Sequence, residues 1–221
     1  MPCLSRVLLV PVACALFLTP SAPVFALDAP SEQDGPGHDQ AVQAPAGKFV
    51  QDLGEHAIKI ISNKQFTSQQ RNAEFAKVLN ESFDLKTIGR FVIGRTWNIA
   101  TLDQQNEYMK LFQALVIKNY GDRMTLAAGE KFQVVGARAE SDNDTTVNSQ
   151  ITHSDGSKPT CIDWRVRQKD GKLAIIDVVV AGVSLSVTQR QEYGSIIQNN
   201  GGQIDGLLES MRSELNDGSK I

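Results

Sequence analysis

Residues 160–180 read TCIDWRVRQKDGKLAIIDVVV, and this stretch decides the fold because it holds two strand patterns joined by a tight-turn signal. In its first half, apolar Ile162 and Trp164 alternate with charged residues, which is typical of a strand with one buried and one solvated face. Asp170-Gly171 is a preferred pair for a type I′ turn, which needs a positive φ at both central residues. The stretch therefore predicts an antiparallel hairpin.

The second half of the hairpin is apolar on both faces apart from one carboxylate. Residues 175–180 read IIDVVV, so we expect this strand to be covered on both sides. If the turn is regular, Asp163 faces Val178, and Asp177 lies on the opposite face beside Trp164. The two carboxylates are then poorly placed as an acid–base pair. We interpret Asp177 as a structural residue held by an indole N–H, an arginine or backbone amides.

Two further strand patterns precede the hairpin. Residues 131–140 read KFQVVGARAE and residues 145–154 read TTVNSQITHS. The segments SDND and SDGSKP between the patterns have turn compositions. Four strands joined by such short connections predict a four-stranded antiparallel meander.

The chain before the sheet has a helical pattern. Residues 48–64, KFVQDLGEHAIKIISNK, place apolar side chains three and four positions apart. Thr67 or Ser68 is suited to cap a second helix, and Asp84 to cap a third that ends at Gly94.

The longest predicted helix begins at Thr101, which forms a capping-box pattern with Gln104. Its apolar residues occupy about half of the helix circumference, more than the stripe of ~100° typical of a helix with one buried face. They are Tyr108, Met109, Leu111, Phe112, Leu115, Val116, Tyr120 and Met124. We therefore expect this helix to contact other elements on more than one side.

Two helices follow the sheet. Gly182 permits a tight exit from the last strand, Ser184 or Ser186 caps the next helix, and Gly201-Gly202 ends it before the final helix. The predicted fold class is α+β, with an N-terminal helical half, a four-stranded twisted antiparallel sheet and C-terminal helices that pack back on the sheet.

The N-terminus has the pattern of an export signal. Arg6 precedes the apolar residues 7–18, and small residues follow, which predicts a signal peptide over 1–26 cleaved after Ala26. The whole chain of 221 residues has a formal net charge of −3, which argues against nucleic acid as a partner.

The mature chain is expected to contain one domain. Residues 27–46 are rich in Pro, Gly and polar residues and are predicted to be a disordered tether, and 47–217 form a single domain. Of the three cysteines only Cys161 remains after cleavage, so no internal disulfide can form. We interpret Cys161 as a strand residue and expect the core alone to hold the fold.

The sequence contains no pattern of a catalytic or metal site. His38, His56 and His153 lack metal-ligand spacing, and no nucleophile-elbow, Walker or dinucleotide-binding motif is present. We therefore predict no catalytic residues, no metal and no cofactor, and a protein that is not an enzyme.

Arg90 and Arg95 flank the segment FVIG and precede Trp97. One interpretation is a solvated pair of arginines beside a packed tryptophan. The other is a cationic mouth that binds an anionic head group above an apolar pocket. The sequence leaves both open.

Two long segments resemble one known family. Residues 84–124, DLKTIGRFVIGRTWNIATLDQQNEYMKLFQALVIKNYGDRM, combine an Asp-capped helix, G-R and the pattern W..AT..Q...Y...F. Residues 163–215 combine D-W-R, D-V, G-V-S-L and R-x-E-Y with a glycine before the last helix. In order and spacing these motifs resemble the MlaC-type periplasmic lipid-binding proteins, the toluene-tolerance auxiliary family that includes the hopanoid-associated HpnM branch.

The resemblance implies a soluble periplasmic carrier, with nothing in the sequence to indicate more than a monomer. Such a carrier moves phospholipid or hopanoid between an inner-membrane MCE/ABC-transporter complex and an outer-membrane lipoprotein. The acyl chains would lie in an apolar cavity between sheet and helices.

On this resemblance we assign three groups of residues. The lipid-binding candidates are Phe91, Trp97, Phe112, Val116, Tyr120, Val134, Val147, Ile151, Trp164, Val166, Ile176, Val178, Val180 and Val183. The head-group candidates are Arg90 and Arg95, and the structural candidates are Asp177 and Gly182.

Two other functions remain as alternatives. One is a small-substrate enzyme on a cone-like α+β fold, with Asp163 or Asp177 as a general base. The other is an envelope adaptor that binds no ligand, which would have a filled core.

Overall fold

The computed structural model describes residues 44–121 and 129–217. The signal peptide, its cleavage site, most of the predicted tether and Met124 lie outside the described residues. The described residues belong to one compact unit.

Seven helices and five strands make up the described part of the chain. The helices are α1 (Pro45–Ser62), α2 (Ser68–Ser82), α3 (Leu85–Ile93), α4 (Thr96–Ile99), α5 (Leu102–Gly121), α6 (Leu185–Asn199) and α7 (Ile204–Asn216). The strands are β1 (Lys131–Ala139), β2 (Asp144–Thr152), β3 (Thr160–Lys169), β4 (Lys172–Val180) and β5 (Val183–Ser184). None of these helices combines the length and apolar character needed to cross a membrane.

The predicted helix caps are confirmed. The hydroxyls of Thr67 and Thr101 each accept from the backbone amide three residues later, and the side-chain oxygen of the glutamine there accepts from the backbone amide of the threonine. The carboxylate of Asp84 accepts from the amide of Thr87 at 2.9 Å. Ser184, rather than Ser186, caps α6. Helix α1 begins at Pro45, inside the segment predicted as tether, where proline suits the first helical position.

The sheet is antiparallel throughout, in the order β1-β2-β3-β4-β5. It has one strand more than predicted, because the two residues of β5 pair with the end of β4. Asp170 and Gly171 have φ values of 51° and 74°, as a type I′ turn requires. Ala181 and Gly182, with φ values of 49° and 84°, form the tight exit from β4.

The predicted register of the β3–β4 hairpin is wrong beyond its first four pairs. Val166 faces Ile175 as expected, but Ile176 is bulged out and Arg165 faces Asp177. An extra residue in one strand shifts every later pair by one position. Asp163 consequently faces Val179, and it shares a face of the hairpin with Asp177 instead of lying on the opposite one.

Buried apolar side chains form two separate clusters. The helical cluster joins α3, α5, α6 and α7, with Tyr108, Leu207 and Met211 at its centre. The sheet cluster joins α1, α2 and the sheet, with Val50, Val134, Val147 and other residues almost inaccessible to water.

Candidate functional site: an apolar cavity between sheet and helices

A cavity of about 580 Å³ lies between the sheet and the helices. It is lined by residues of five helices, α1, α2, α3, α5 and α6, and by residues of each strand from β1 to β4. Nearly all of the lining is apolar, and Asp177 is its one charged residue within the described part of the chain. The volume falls in the range of ~300–1,000 Å³ typical of small-molecule sites.

Helix α5 takes part in both the core and the cavity, which explains its wide apolar surface. Tyr108 and Leu115 are buried in the helical cluster, and the Tyr108 hydroxyl donates to the carbonyl of Gly89 at 3.0 Å. Burial raises the pKa of this phenol, so it stays protonated. Phe112 and Val116 line the cavity.

A second cavity, of about 510 Å³, adjoins the first between α5, α6 and α7. It shares Phe112, Val116, Tyr120 and Gln189 with the main cavity. Its lining is more polar and includes Glu192.

The sheet supplies its lining from paired positions of β3 and β4. Ile162 faces Val180 and Trp164 faces Val178, and all four line the cavity. The indole N–H of Trp164 donates to the hydroxyl of Ser149 at 2.8 Å, which satisfies its only polar atom. Because of the bulge, Trp164 does not lie opposite Asp177, where the regular register predicts it.

Asp177 joins β4 to the first turn of α6. Its carboxylate is 5% exposed and accepts from the Ser184 hydroxyl at 2.7 Å and the Ser186 hydroxyl at 2.7 Å. It also accepts from the amides of Val178 at 2.9 Å and Ser186 at 3.2 Å. The guanidinium of Arg165 lies 3.8 Å away. Of the donors that the sequence suggested, backbone amides and an arginine are present and the indole is not, and two serine hydroxyls add to them.

Asp163, the other candidate base, does not line the cavity. Its carboxylate accepts from the side-chain amide of Asn148 at 2.8 Å. In residues 44–121 and 129–217, no cluster of three or more His, Cys, Asp and Glu residues could hold a metal ion. The cavity thus presents apolar surface and no paired acid and base.

Seven of the predicted lipid-binding residues line the cavity: Phe112, Val116, Tyr120, Ile151, Trp164, Val178 and Val180. The other seven do not. Val134, Val147 and Val166 are buried in the sheet cluster, and Trp97 packs beside the helical cluster. Ile176 is the bulged residue, whereas Phe91 and Val183 are 43% and 56% exposed.

The two head-group candidates also lie outside the cavity lining. The guanidinium of Arg90 stacks over the ring of Trp97, 5.4 Å from its centroid, and Arg95 is exposed before α4. This geometry corresponds to the interpretation of a solvated pair beside a packed tryptophan.

The candidate list omitted the contribution of the N-terminal helices. Lining residues on α1 and α2 include Leu53, Ala57, Ile61, Phe75 and Val78. Their spacing of three and four was visible in the sequence, but it did not show whether they face a core or a cavity.

Matches to a protein family, to a curated protein and to a solved structure agree with one another. The family described as MlaC protein matches residues 51–213. A Haemophilus influenzae protein described as intermembrane phospholipid transport system binding protein MlaC is 23% identical over 174 residues, 77% of this chain and 78% of that protein.

A solved structure also has this fold. The phospholipid-binding protein from Ralstonia solanacearum, in complex with a phospholipid, superposes with a TM-score of 0.68. The match covers 76% of this chain and 96% of that one at 20% sequence identity. At this level of identity the likeness shows the α+β fold.

Proposed function

Because the chain belongs to the MlaC protein family, we propose that it is a phospholipid-binding transport protein whose cavity holds the acyl chains. The observation that carries this proposal is a cavity of about 580 Å³ with an apolar lining. Its one carboxylate, that of Asp177, already accepts four hydrogen bonds from the protein. The Haemophilus influenzae protein is described as a binding protein of a phospholipid transport system, and the Ralstonia solanacearum protein as phospholipid-binding, which supports the proposal.

The cavity offers a large driving force for an acyl chain. Transfer of each CH₂ group from water into an apolar site contributes about 0.8 kcal/mol. A lipid with two chains would therefore bind tightly, and release requires a partner or a change of conformation that weakens these contacts.

The proposal extends to location and route. After removal of residues 1–26 the protein acts in the periplasm, where it receives lipid from, or delivers it to, an inner-membrane MCE/ABC-transporter complex. An outer-membrane lipoprotein is the second partner. Phospholipid is the proposed cargo, and a hopanoid is the alternative that the HpnM branch suggests.

The geometry favours this function over the two alternatives. A general base needs a free carboxylate near its substrate, but Asp177 is held by four hydrogen bonds and Asp163 is absent from the cavity lining. A ligand-free adaptor predicts a filled core, and the described residues instead line a cavity.

The direct test is to identify lipid in gently purified protein by native mass spectrometry. Val178→Arg places a charge in the lining, which has no unpaired acid to receive it, and should abolish co-purification of lipid. Val135→Arg is the matched control, because Val135 is 39% exposed and outside the lining. Wild-type protein that carries no lipid and takes up none from vesicles would refute the proposal.

A further inference from the structure

Arg71, on the first turn of α2, lies beside the main cavity. Its side chain lines a small cleft of about 20 Å³, otherwise formed by apolar residues and Gly121. Four residues of the cleft also line the main cavity: Ala57, Ile61, Phe75 and Val78. A cationic side chain is thus placed at the edge of an apolar cavity.

The hydrogen bonds of Arg71 are incomplete. Nη1 donates to the carbonyl of Phe66 at 2.6 Å, and Nη2 makes a long contact of 3.4 Å with the hydroxyl of Ser68. Nε is buried and has no acceptor. The side-chain oxygen Oδ1 of the adjacent Asn72 is also buried and has no donor. Across residues 44–121 and 129–217, these two are the buried side-chain nitrogen or oxygen atoms left without a partner.

Arg71 belongs with Arg90, Arg95 and Arg190, which form no ion pair with a carboxylate of the described residues. Arg138, Arg167 and Arg212 each form an ion pair with a carboxylate at 2.7 Å or less. The ion pairs found among the described residues include none with Arg71. Its charge is therefore without a carboxylate partner in this part of the chain, and its Nε–H lacks an acceptor.

The missing partner has the chemistry of a phosphate oxygen. Buried donors in native proteins are nearly always satisfied, by protein, water or a bound group. A guanidinium binds phosphate oxygens through charge-assisted hydrogen bonds. A volume of about 20 Å³ admits one group the size of a water molecule, which is also the size of a single phosphate oxygen.

We propose that Arg71 binds the phosphate of the phospholipid whose acyl chains occupy the main cavity. This inference rests on the proposed function and assigns the role that the sequence gave to Arg90 and Arg95. On this proposal the protein recognises the phosphate of the lipid at the edge of the main cavity, and not the variable end of the head group.

The test compares two lipids that differ only in the phosphate-containing head group. Affinities of the delipidated mature chain for phosphatidylglycerol and for diacylglycerol with the same acyl chains are measured by displacement of a fluorescent lipid. Arg71→Gln should weaken phosphatidylglycerol binding roughly tenfold to a hundredfold, the loss typical of a hydrogen bond to a charged group. Its affinity for diacylglycerol should not change, and Arg71→Lys should lie in between.

Controls separate this inference from folding and from the proposed function. Arg138→Gln removes an exposed arginine that is not part of the lining and should leave both affinities unchanged. Millimolar inorganic phosphate should not displace phosphatidylglycerol from the wild type, because it lacks acyl chains. Displacement by phosphate alone would overturn the assignment to a lipid phosphate.

Two results with Arg71→Gln would overturn the role of Arg71 while leaving the proposed function intact. One is an equal loss of both lipids, which would show that Arg71 supports the cavity lining. The other is unchanged affinity for phosphatidylglycerol. Wild-type protein that binds neither lipid would instead refute the proposed function itself.

Discussion

Replacing Asp177 by asparagine keeps the shape of the side chain and removes the charge toward which four donors point. A hydrogen bond to a charged group contributes about 1.5–3 kcal/mol. The four contributions do not add, because they share one carboxylate and because Ser184 is half-buried. The side-chain amide of asparagine also keeps one oxygen that can accept. Three of the donors share Oδ1, so the asparagine oxygen takes that place and its N–H groups face the Ser184 hydroxyl in place of Oδ2. We expect Asp177→Asn to lower the free energy of unfolding by about 3 kcal/mol, because three bonds lose their charged acceptor and the fourth loses its acceptor.

Urea unfolding followed by circular dichroism measures this loss. The midpoint should fall while the m-value stays constant, and the thermal midpoint should fall by about 6–12 °C. Asp163→Asn is the matched control, because Asp163 has a single side-chain donor in the described structure and should cost less than about 1 kcal/mol. A loss below about 1 kcal/mol for Asp177→Asn would refute the view that this carboxylate joins β4 to α6.

Two further predictions concern stability. Arg167 donates two bonds of 2.7 Å to the carboxylate of Asp144 and holds the pKa of that carboxyl below its ordinary 3.8. A lowered folded-state pKa stabilises the fold above about pH 4 and ceases to do so as the carboxyl is protonated. Arg167→Gln should therefore lower the urea midpoint at neutral pH and have no effect once acid protonates Asp144; an equal effect at both pH values would contradict the ion pair. In α1, a Cβ on Gly54 would lie 2.2 Å from the ring of Phe132, so Gly54→Ala should cost about 1–3 kcal/mol by overpacking in urea unfolding. In α6, Gly194→Ala meets nothing within 4 Å and should stabilise by up to about 1 kcal/mol; similar shifts for both variants would contradict the packing at Gly54.

Local patterns predicted the elements well because their causes are local. The caps at Thr67, Asp84 and Thr101 and the turn at Asp170-Gly171 depend on residues within a few positions of one another. The predicted β3–β4 register is wrong from Ile176 onward, where the bulge lies. This part of the strand is apolar on both faces, so the alternation of apolar and polar residues could not indicate an extra residue.

The cavity could be predicted only in part because its lining is a tertiary property. An apolar residue in a strand can face a core or a cavity, as Val166 and Val178 do on adjacent strands. The cations near Trp97 suggested a head-group site, but the path of α3 and α4 takes Arg90 and Arg95 away from the lining. No short-range pattern marks Arg71, whose place is set by the packing of α2 against α1 and the end of α5.

The position of the cavity between the two apolar clusters has a thermodynamic consequence. Val92 and Phe112 of the helical cluster and Leu53 and Val78 of the sheet cluster all line it. An acyl chain in contact with both clusters becomes part of the apolar interior that unfolding exposes, so ligand affinity and global stability are linked quantities. Loaded protein should melt as one cooperative unit at a higher temperature, and a partner that separates the clusters would lower lipid affinity without touching the lipid.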